Sequence, residues 1–328
     1  MQLISLCPLA ASTLLWRTAN GPCVTVAVKA TFQLAPDDVA ALAAPLPLFH
    51  DVFHEQNAGR SLYVASDAVP HKPRADVLLT GSAYAPLGQH VSHRWVRLAV
   101  FDAQGQVPAV DKRLQVVGER QRDPATGQAT APAPFSRLPV RYELAFGGAR
   151  CPENPVGRGA DPADLRLPSL LNPAAPDTPE GFGPLSSAWP QRRRALGAWD
   201  PAKLLLPVPE LPTAMDWGYF NAAPRDQQIP YLRGDEWILL EGLHPTAAQV
   251  RSRLPGLRAR VLLRAPRLVD PAGVELTVRC DTLWIDADAL RCTLTWRASL
   301  AVAERALEIV ERGTLLVTLA PPGERVAW

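Results

Sequence analysis

The chain has 328 residues, 47% of them hydrophobic and 20% charged, with a formal net charge of +2. That length can bury a sizeable core as one large β domain or two smaller ones, and the near-neutral charge excludes a strong field for nucleic acid or acidic membranes. The 34 prolines argue against long helices and for turns and short strands.

Pro8 and Arg17 interrupt the apolar start of the chain, and no later stretch approaches the ~18 apolar residues of a membrane span. Cys7, Cys23, Cys151, Cys280 and Cys292 are odd in number, far apart and without a CxxC pair. They fit reduced structural thiols rather than a disulfide framework or a zinc site, and the expected location is the cytoplasm. Residues 23–34 alternate and are rich in β-branched side chains, which predicts a strand with Val24, Val26 and Val28 on one face and Thr25, Ala27 and Lys29 on the other. Residues 37–48, rich in Ala and Pro, read as a loop. Strands follow at 75–84, 94–101 and 112–117, with a hairpin-type turn at Asp102-Ala103-Gln104-Gly105 between the last two. Turn signals fill 122–134, an exposed loop, and 135–146 returns to strand.

Residues 149–235 are irregular, with Pro and Gly every few positions. Yet Phe182, Trp189, Trp199, Trp217, Tyr219 and Phe220 are spread through them, and a disordered linker would be poor in such residues. Long ordered loops are commonly functional. Trp217, Tyr219 and Phe220 are bulky enough to anchor the segment on a sheet face. Asp216, Asn221, Asp226 and Gln227 can satisfy backbone groups that lack sheet or helix partners. Two readings stay open: a self-packed structural loop, or a surface offered to another protein. In the second, Trp217, Tyr219, Phe220, Asn221, Arg225, Asp226 and Gln227 make the contact, together with Arg192 and Arg193 of the basic triplet Arg192-Arg193-Arg194.

Beyond it, 236–240 reads as strand. His244-Pro245-Thr246 predicts a short helix to about residue 254, ended by Pro255-Gly256. Residues 259–269, 273–280, 282–286 and 289–297 read as an antiparallel meander with one buried face, Leu290, Cys292, Leu294 and Trp296 opposing Arg291, Thr293, Thr295 and Arg297. A helix over 300–310 and a last strand over 314–319 complete the chain. The expected fold is mainly β, with sandwich-like antiparallel sheets and one or two short helices. It divides into an N-terminal β-rich part (1–148), the irregular segment (149–235) and a C-terminal antiparallel part (236–328), in one compact unit or two tightly packed β domains.

No catalytic pattern stands out. His50 and His54 lack the adjacent Glu of a zinc protease, and Gly81-Ser82-Ala83-Tyr84-Ala85 lacks the second glycine of a nucleophile elbow. Gly157 and Gly159 are followed by no third glycine at dinucleotide-binding spacing. Asp286 and Asp288 read as turn formers rather than an acid/base couple. No catalytic residue, metal ligand or cofactor-binding residue is assigned.

A set of motifs carries a resemblance. In order they are Lys72-Pro73-Arg74-Ala75-Asp76-Val77-Leu78-Leu79-Thr80-Gly81, Arg141-Tyr142-Glu143-Leu144-Ala145-Phe146-Gly147-Gly148, Asn154-Pro155-Val156-Gly157-Arg158-Gly159, Gly181-Phe182-Gly183-Pro184, Phe220-Asn221-Ala222-Ala223-Pro224-Arg225-Asp226-Gln227, Gly234-Asp235-Glu236, Leu254-Pro255-Gly256-Leu257, Asp281-Thr282-Leu283-Trp284-Ile285-Asp286 and Leu294-Thr295-Trp296-Arg297. Together they resemble the bacterial domain-of-unknown-function family 2169 of type VI secretion gene clusters, over roughly residues 20 to 300. The resemblance implies a non-catalytic adaptor or chaperone, with no catalytic residues to carry over. Such a protein binds a toxic effector in the cytoplasm, stabilises it and helps load it onto the secretion spike, through a valine–glycine repeat protein or a PAAR-type tip. Where the family pattern reads Leu-Pro-Asn-Leu, this chain has Leu167-Pro168-Ser169-Leu170. Some relatives are fused to pentapeptide repeats; this chain reaches Trp328 without them and is expected to be the stand-alone form. The competing readings are a hydrolase on a β scaffold, carbohydrate-active or otherwise, and a structural part of the secretion apparatus.

Overall fold

A computed structural model describes residues 1–212, 214–265, 273–304, 312–324 and 326. Its longer strands, in chain order, are β1 (Ala10–Thr18), β2 (Gly21–Gln33), β3 (Ala75–Thr80), β4 (His93–Phe101), β5 (Pro108–Val117), β6 (Trp237–Glu241), β7 (Gln249–Arg253), β8 (Arg258–Arg264), β9 (Arg279–Asp286), β10 (Arg291–Ala301) and β11 (Thr314–Ala320). The fold is mainly β and the sheets are mostly antiparallel. The largest runs Gln228–Ile229, β3, β9, β10, β2, β1, antiparallel except where β3 lies beside β9. A second runs Leu170–Leu171, β5, β4, β6, β7, Asp38–Val39. A third runs Gln2–Ser5, β11, β8, Val274–Leu276.

Alternation along these strands supplies the core. Val28 and Phe32 of β2, Val77 and Leu79 of β3, and Leu294 and Trp296 of β10 enter one cluster of buried side chains. Leu98 of β4, Leu114 of β5, Ile238 of β6, Val261 of β8 and Val317 of β11 join it, so all three sheets meet there. Burying a Leu or Val side chain contributes about 1.5–3 kcal/mol.

The expected C-terminal meander with one buried face needs correction: β8 and Val274–Leu276 pair in the third sheet, β9 and β10 pair in the largest, and both faces of β10 are buried over residues 292–297. Thr293, Thr295 and Arg297 are as buried as Cys292, Leu294 and Trp296. The polar face of the largest sheet is covered by residues 46–73 and by the irregular segment, whose Phe49, Tyr63, Val64 and Ala223 pack on Leu78 and Trp284. On this face Lys29 pairs with Asp67 at 2.7 Å, Lys72 with Asp76 at 2.8 Å, and Arg297 with Asp281, all six buried. Buried charges persist only when paired and hydrogen-bonded. Asp67 also accepts from Phe49 N at 2.9 Å and Thr295 Oγ1 at 3.2 Å, fastening the covering loop to the sheet.

Two further expectations change. The helix expected over 244–254 is a turn followed by β7. His244 Nδ1 accepts from Ala247 N at 2.9 Å, and Val250 and Ser252 then alternate inward against β6. The strand expected over 135–146 breaks into Arg137–Pro139, a 3₁₀ turn at Tyr142–Leu144 and Phe146–Gly147. Pro190–Arg193 is the α-helix among the described residues. Of the helix expected over 300–310, residues 300 and 301 are instead the end of β10, and residues 305–310 lie outside the described residues. Among the described residues no helix is long and apolar enough to cross a membrane.

Replacing Asp67 by Ala leaves Lys29 and Arg297 buried with a partner removed. Asp67→Ala is expected to lower unfolding stability by about 3–5 kcal/mol. The double variant Lys29→Met/Asp67→Ala is expected to cost less than the two single changes summed, both measured by urea titration.

Candidate functional site

The irregular segment is held by a buried carboxylate of the sheet beneath it. Asp76 on β3 is fully buried; its oxygens accept from Lys72 Nζ at 2.8 Å, Asn221 Nδ2 at 2.9 Å, Ala222 N at 2.9 Å and Ala223 N at 3.2 Å. Asn221 Nδ2 also donates to Arg74 O at 2.8 Å. Gln227, buried, donates through Nε2 to Val77 O at 2.7 Å and Phe182 O at 2.9 Å. The motif Lys72-Pro73-Arg74-Ala75-Asp76 and the distant motif 220–227 are therefore two halves of one hydrogen-bonded lock.

The other motifs interlock in the same way. Glu143 accepts from Ser61 N and Ser61 Oγ, both at 2.7 Å. Asn154 donates to Tyr142 O and Phe146 O, both at 2.9 Å. A Cβ on Gly157 would stand 2.3 Å from Asn154 Nδ2 and 2.8 Å from Ala145 O, so only glycine fits there. Glu236 caps Arg233 N and Gly234 N, and Gly256 N returns to Gly234 O at 2.6 Å. Gly234 has φ +86, and a Cβ on it would lie 2.8 Å from Leu257 O. Ser169 is buried, and its hydroxyl accepts from Arg158 Nη2.

The nine residues expected to meet a partner divide sharply. Tyr219, Phe220, Asn221, Gln227 and Arg192 are buried, so they shape the surface from below. Arg192 Nε donates to Tyr219 O at 2.9 Å and its Nη1 to Leu185 O at 3.0 Å, with the guanidinium over the Tyr219 ring. Burial pulls its pKa down, against the attraction of Asp51, Tyr219 and Asp76. Trp217 is half-buried, edge-on to Trp16 and to His71. Arg193, Arg225 and Asp226 are exposed. Neither Arg193 nor Arg225 has an ion-pair or hydrogen-bond partner for its side chain among the described residues.

Arg225 and Asp226 border a cleft of about 720 Å³, which Lys112, Glu180, Arg194 and Asn221 also line. Lys112 Nζ bridges Glu180 at 2.8 Å and Asp226 at 2.9 Å. Sequence reading missed Lys112 and Glu180, because one lies in a strand and the other in a Pro-rich loop with no motif linking them. Among the described residues the cleft lining holds no Ser, Thr, Cys or His; its Glu180 and Asp226 carboxylates are both engaged by Lys112, and its Asp216 accepts from Gly218 N at 2.8 Å. Elsewhere Asp286 accepts from Ala289 N at 3.2 Å, as a turn former does. Among the described residues no group of three or more His, Cys, Asp or Glu is placed to hold a metal ion.

A model of the family described as an uncharacterized protein conserved in bacteria (DUF2169) matches residues 19–297, and the chain belongs to that family. No curated protein and no solved structure matches.

Arg192 and Arg193 stand side by side with opposite environments. Arg192→Ala strands two buried carbonyls and is expected to lower stability by about 2–4 kcal/mol. Arg193→Ala is expected to change it by no more than about 0.5 kcal/mol. Equal effects of the two in thermal or urea unfolding would contradict the placement.

Proposed function

We propose that this member of the DUF2169 family is a non-catalytic adaptor. It binds a cognate effector protein in the cytoplasm, stabilises it and helps load it onto the spike of a type VI secretion system, through a valine–glycine repeat protein or a PAAR-type tip. The secretion assignment rests on the resemblance of the motifs. The observation that carries the binding role is how the motif residues are used. Lys72, Asp76 and Asn221 are spent on one another and Gln227 on the backbone of Val77 and Phe182, while Arg193 and Arg225 have no ion-pair or hydrogen-bond partner among the described residues. A rigid base under unpaired guanidinium groups suits recognition of another protein, since preorganisation lowers the ordering cost of binding and Arg is enriched among dominant contacts. The exposed guanidinium groups, Arg225 at the cleft and Arg193 outside its lining, fit carboxylates of the partner.

The test is co-expression with the protein encoded beside it. The effector is expected to co-purify with the wild-type chain and to become insoluble or unsecreted when the adaptor is deleted. The exposed double variant Arg193→Glu/Arg225→Glu is expected to fold normally and to bind about tenfold or more weakly. An effector that stays soluble and is secreted without the adaptor would sink the reading.

A further inference from the structure

The largest sheet has two edges, and they are treated differently. Along β3 the outward backbone is occupied. Gln228–Ile229 pairs with Ala75 and Asp76, Leu79 N donates to Phe182 O at 3.0 Å, and Val77 O accepts from Gln227. The opposite edge is β1, where an outside segment meets Arg17: Arg17 N donates to Pro209 O and Leu211 N donates to Arg17 O, both at 2.8 Å. Outward backbone groups recur every second residue of a strand. Leu15, Thr13 and Ala11 therefore turn their N–H and C=O the same way as Arg17. Among the described residues, these groups have no hydrogen-bond partner.

Natural edges are usually blunted by proline, lysine, bulges or a covering loop. β1 has no proline and pairs with β2 in unbroken register from Ala10 to Thr18. Its charged residue, Arg17, is paired with Glu304 at 2.9 Å. The segment at Glu210 runs parallel to β1 at Arg17, but Pro207 and Pro209 precede it and lack the N–H groups to continue a ladder toward Leu15. The open stretch has one leucine on each side, Leu14 packing with Trp16, Leu204 and Trp217 and Leu15 with Val24, while Ser12 and Thr13 are exposed.

We propose that the edge from Ala11 to Leu15 takes an extended segment of another protein as an added strand, with apolar side chains alternating along that segment. The chain's own Glu210 segment shows that this edge accepts a strand. It also limits the space: a second copy of β1 laid antiparallel about Thr13 would bring its Leu9 opposite Arg17, where Glu210 already lies. The slot fits a short foreign strand. This surface is separate from the Arg193–Arg225 rim and does not depend on the adaptor reading.

The probe is a library of random peptides roughly eight residues long, displayed on phage and selected against the full-length protein. Selected peptides are expected to carry alternating apolar residues and to slow amide hydrogen exchange at Ala11, Thr13 and Leu15. Thr13→Pro removes one outward N–H while leaving the pairing with β2, and is expected to weaken binding by about tenfold or more. Thr13→Ala is expected to bind as the wild type does. Leu15→Pro gives the same reading should Thr13→Pro lose its thermal transition. An empty selection, protection elsewhere, equal binding by the proline variants, or a solution dimer that Thr13→Pro dissolves would each overturn the proposal. Effector binding that survives Thr13→Pro and fails in Arg193→Glu/Arg225→Glu would leave the adaptor reading standing alone.

Discussion

The buried carboxylate of Asp76 joins β3 to Lys72 on one side and to residues 221–223 of the irregular segment on the other. Removing an ionised group from water is costly unless charge and donors replace the lost hydration. Here Lys72 supplies the charge and Asn221, Ala222 and Ala223 supply the donors. The donors come from a loop far along the chain, so the requirement of one residue on β3 dictates where that loop must lie. An apolar sheet face would accept a covering loop in several positions. A face bearing Asp76, Thr282 and Lys29 accepts one whose polar atoms coincide with its own.

The same constraint explains how so much of residues 149–235 can be ordered without regular structure. Backbone groups outside helices and sheets need other partners once buried. Side chains provide them: Asp76 for Ala222 N and Ala223 N, Gln227 for Phe182 O, Arg192 for Leu185 O and Tyr219 O, and Glu236 for Arg233 N and Gly234 N. These substitutes have fixed geometry, so the segment behaves as an extension of the sheet. Asp76, Gln227 and Glu236 belong to the motifs that resemble the family, which accounts for motifs separated by many residues occurring together.

The strands of the core were legible because their signal is local. Alternation marked β2, β4 and β10, and hydrophobicity told which face of each enters the core. The fate of the polar faces was not legible, since Thr293, Thr295 and Arg297 would read the same whether water or another loop covered them. Arg192 and Arg193 make the point most sharply. They are identical and adjacent, yet the helix Pro190–Arg193 turns one beneath Tyr219 and the other toward solvent. The carbonyls of Leu185 and Tyr219, which accept from Arg192, lie on the side to which only Arg192 turns. The helix expected over 244–254 failed for a different reason: Pro-Thr after His244 suits a turn as well as a helix start, and the alternation of Val250 and Ser252 was the stronger signal.

An open edge and a sealed edge in one sheet have a consequence for assembly. With both edges free, each added strand would present a new edge and growth could continue through further copies. Sealing the β3 side with Gln227, Phe182 and Gln228–Ile229 leaves each copy of this sheet one usable edge, so copies cannot chain edge to edge through it. Glu210 bounds the slot at its Arg17 end, where it occupies the ladder position the incoming strand would need next. The same irregular segment thus does two things to the sheet: through Asp76 and Gln227 it closes one edge, and through Glu210 it sets how much of the other a partner can use.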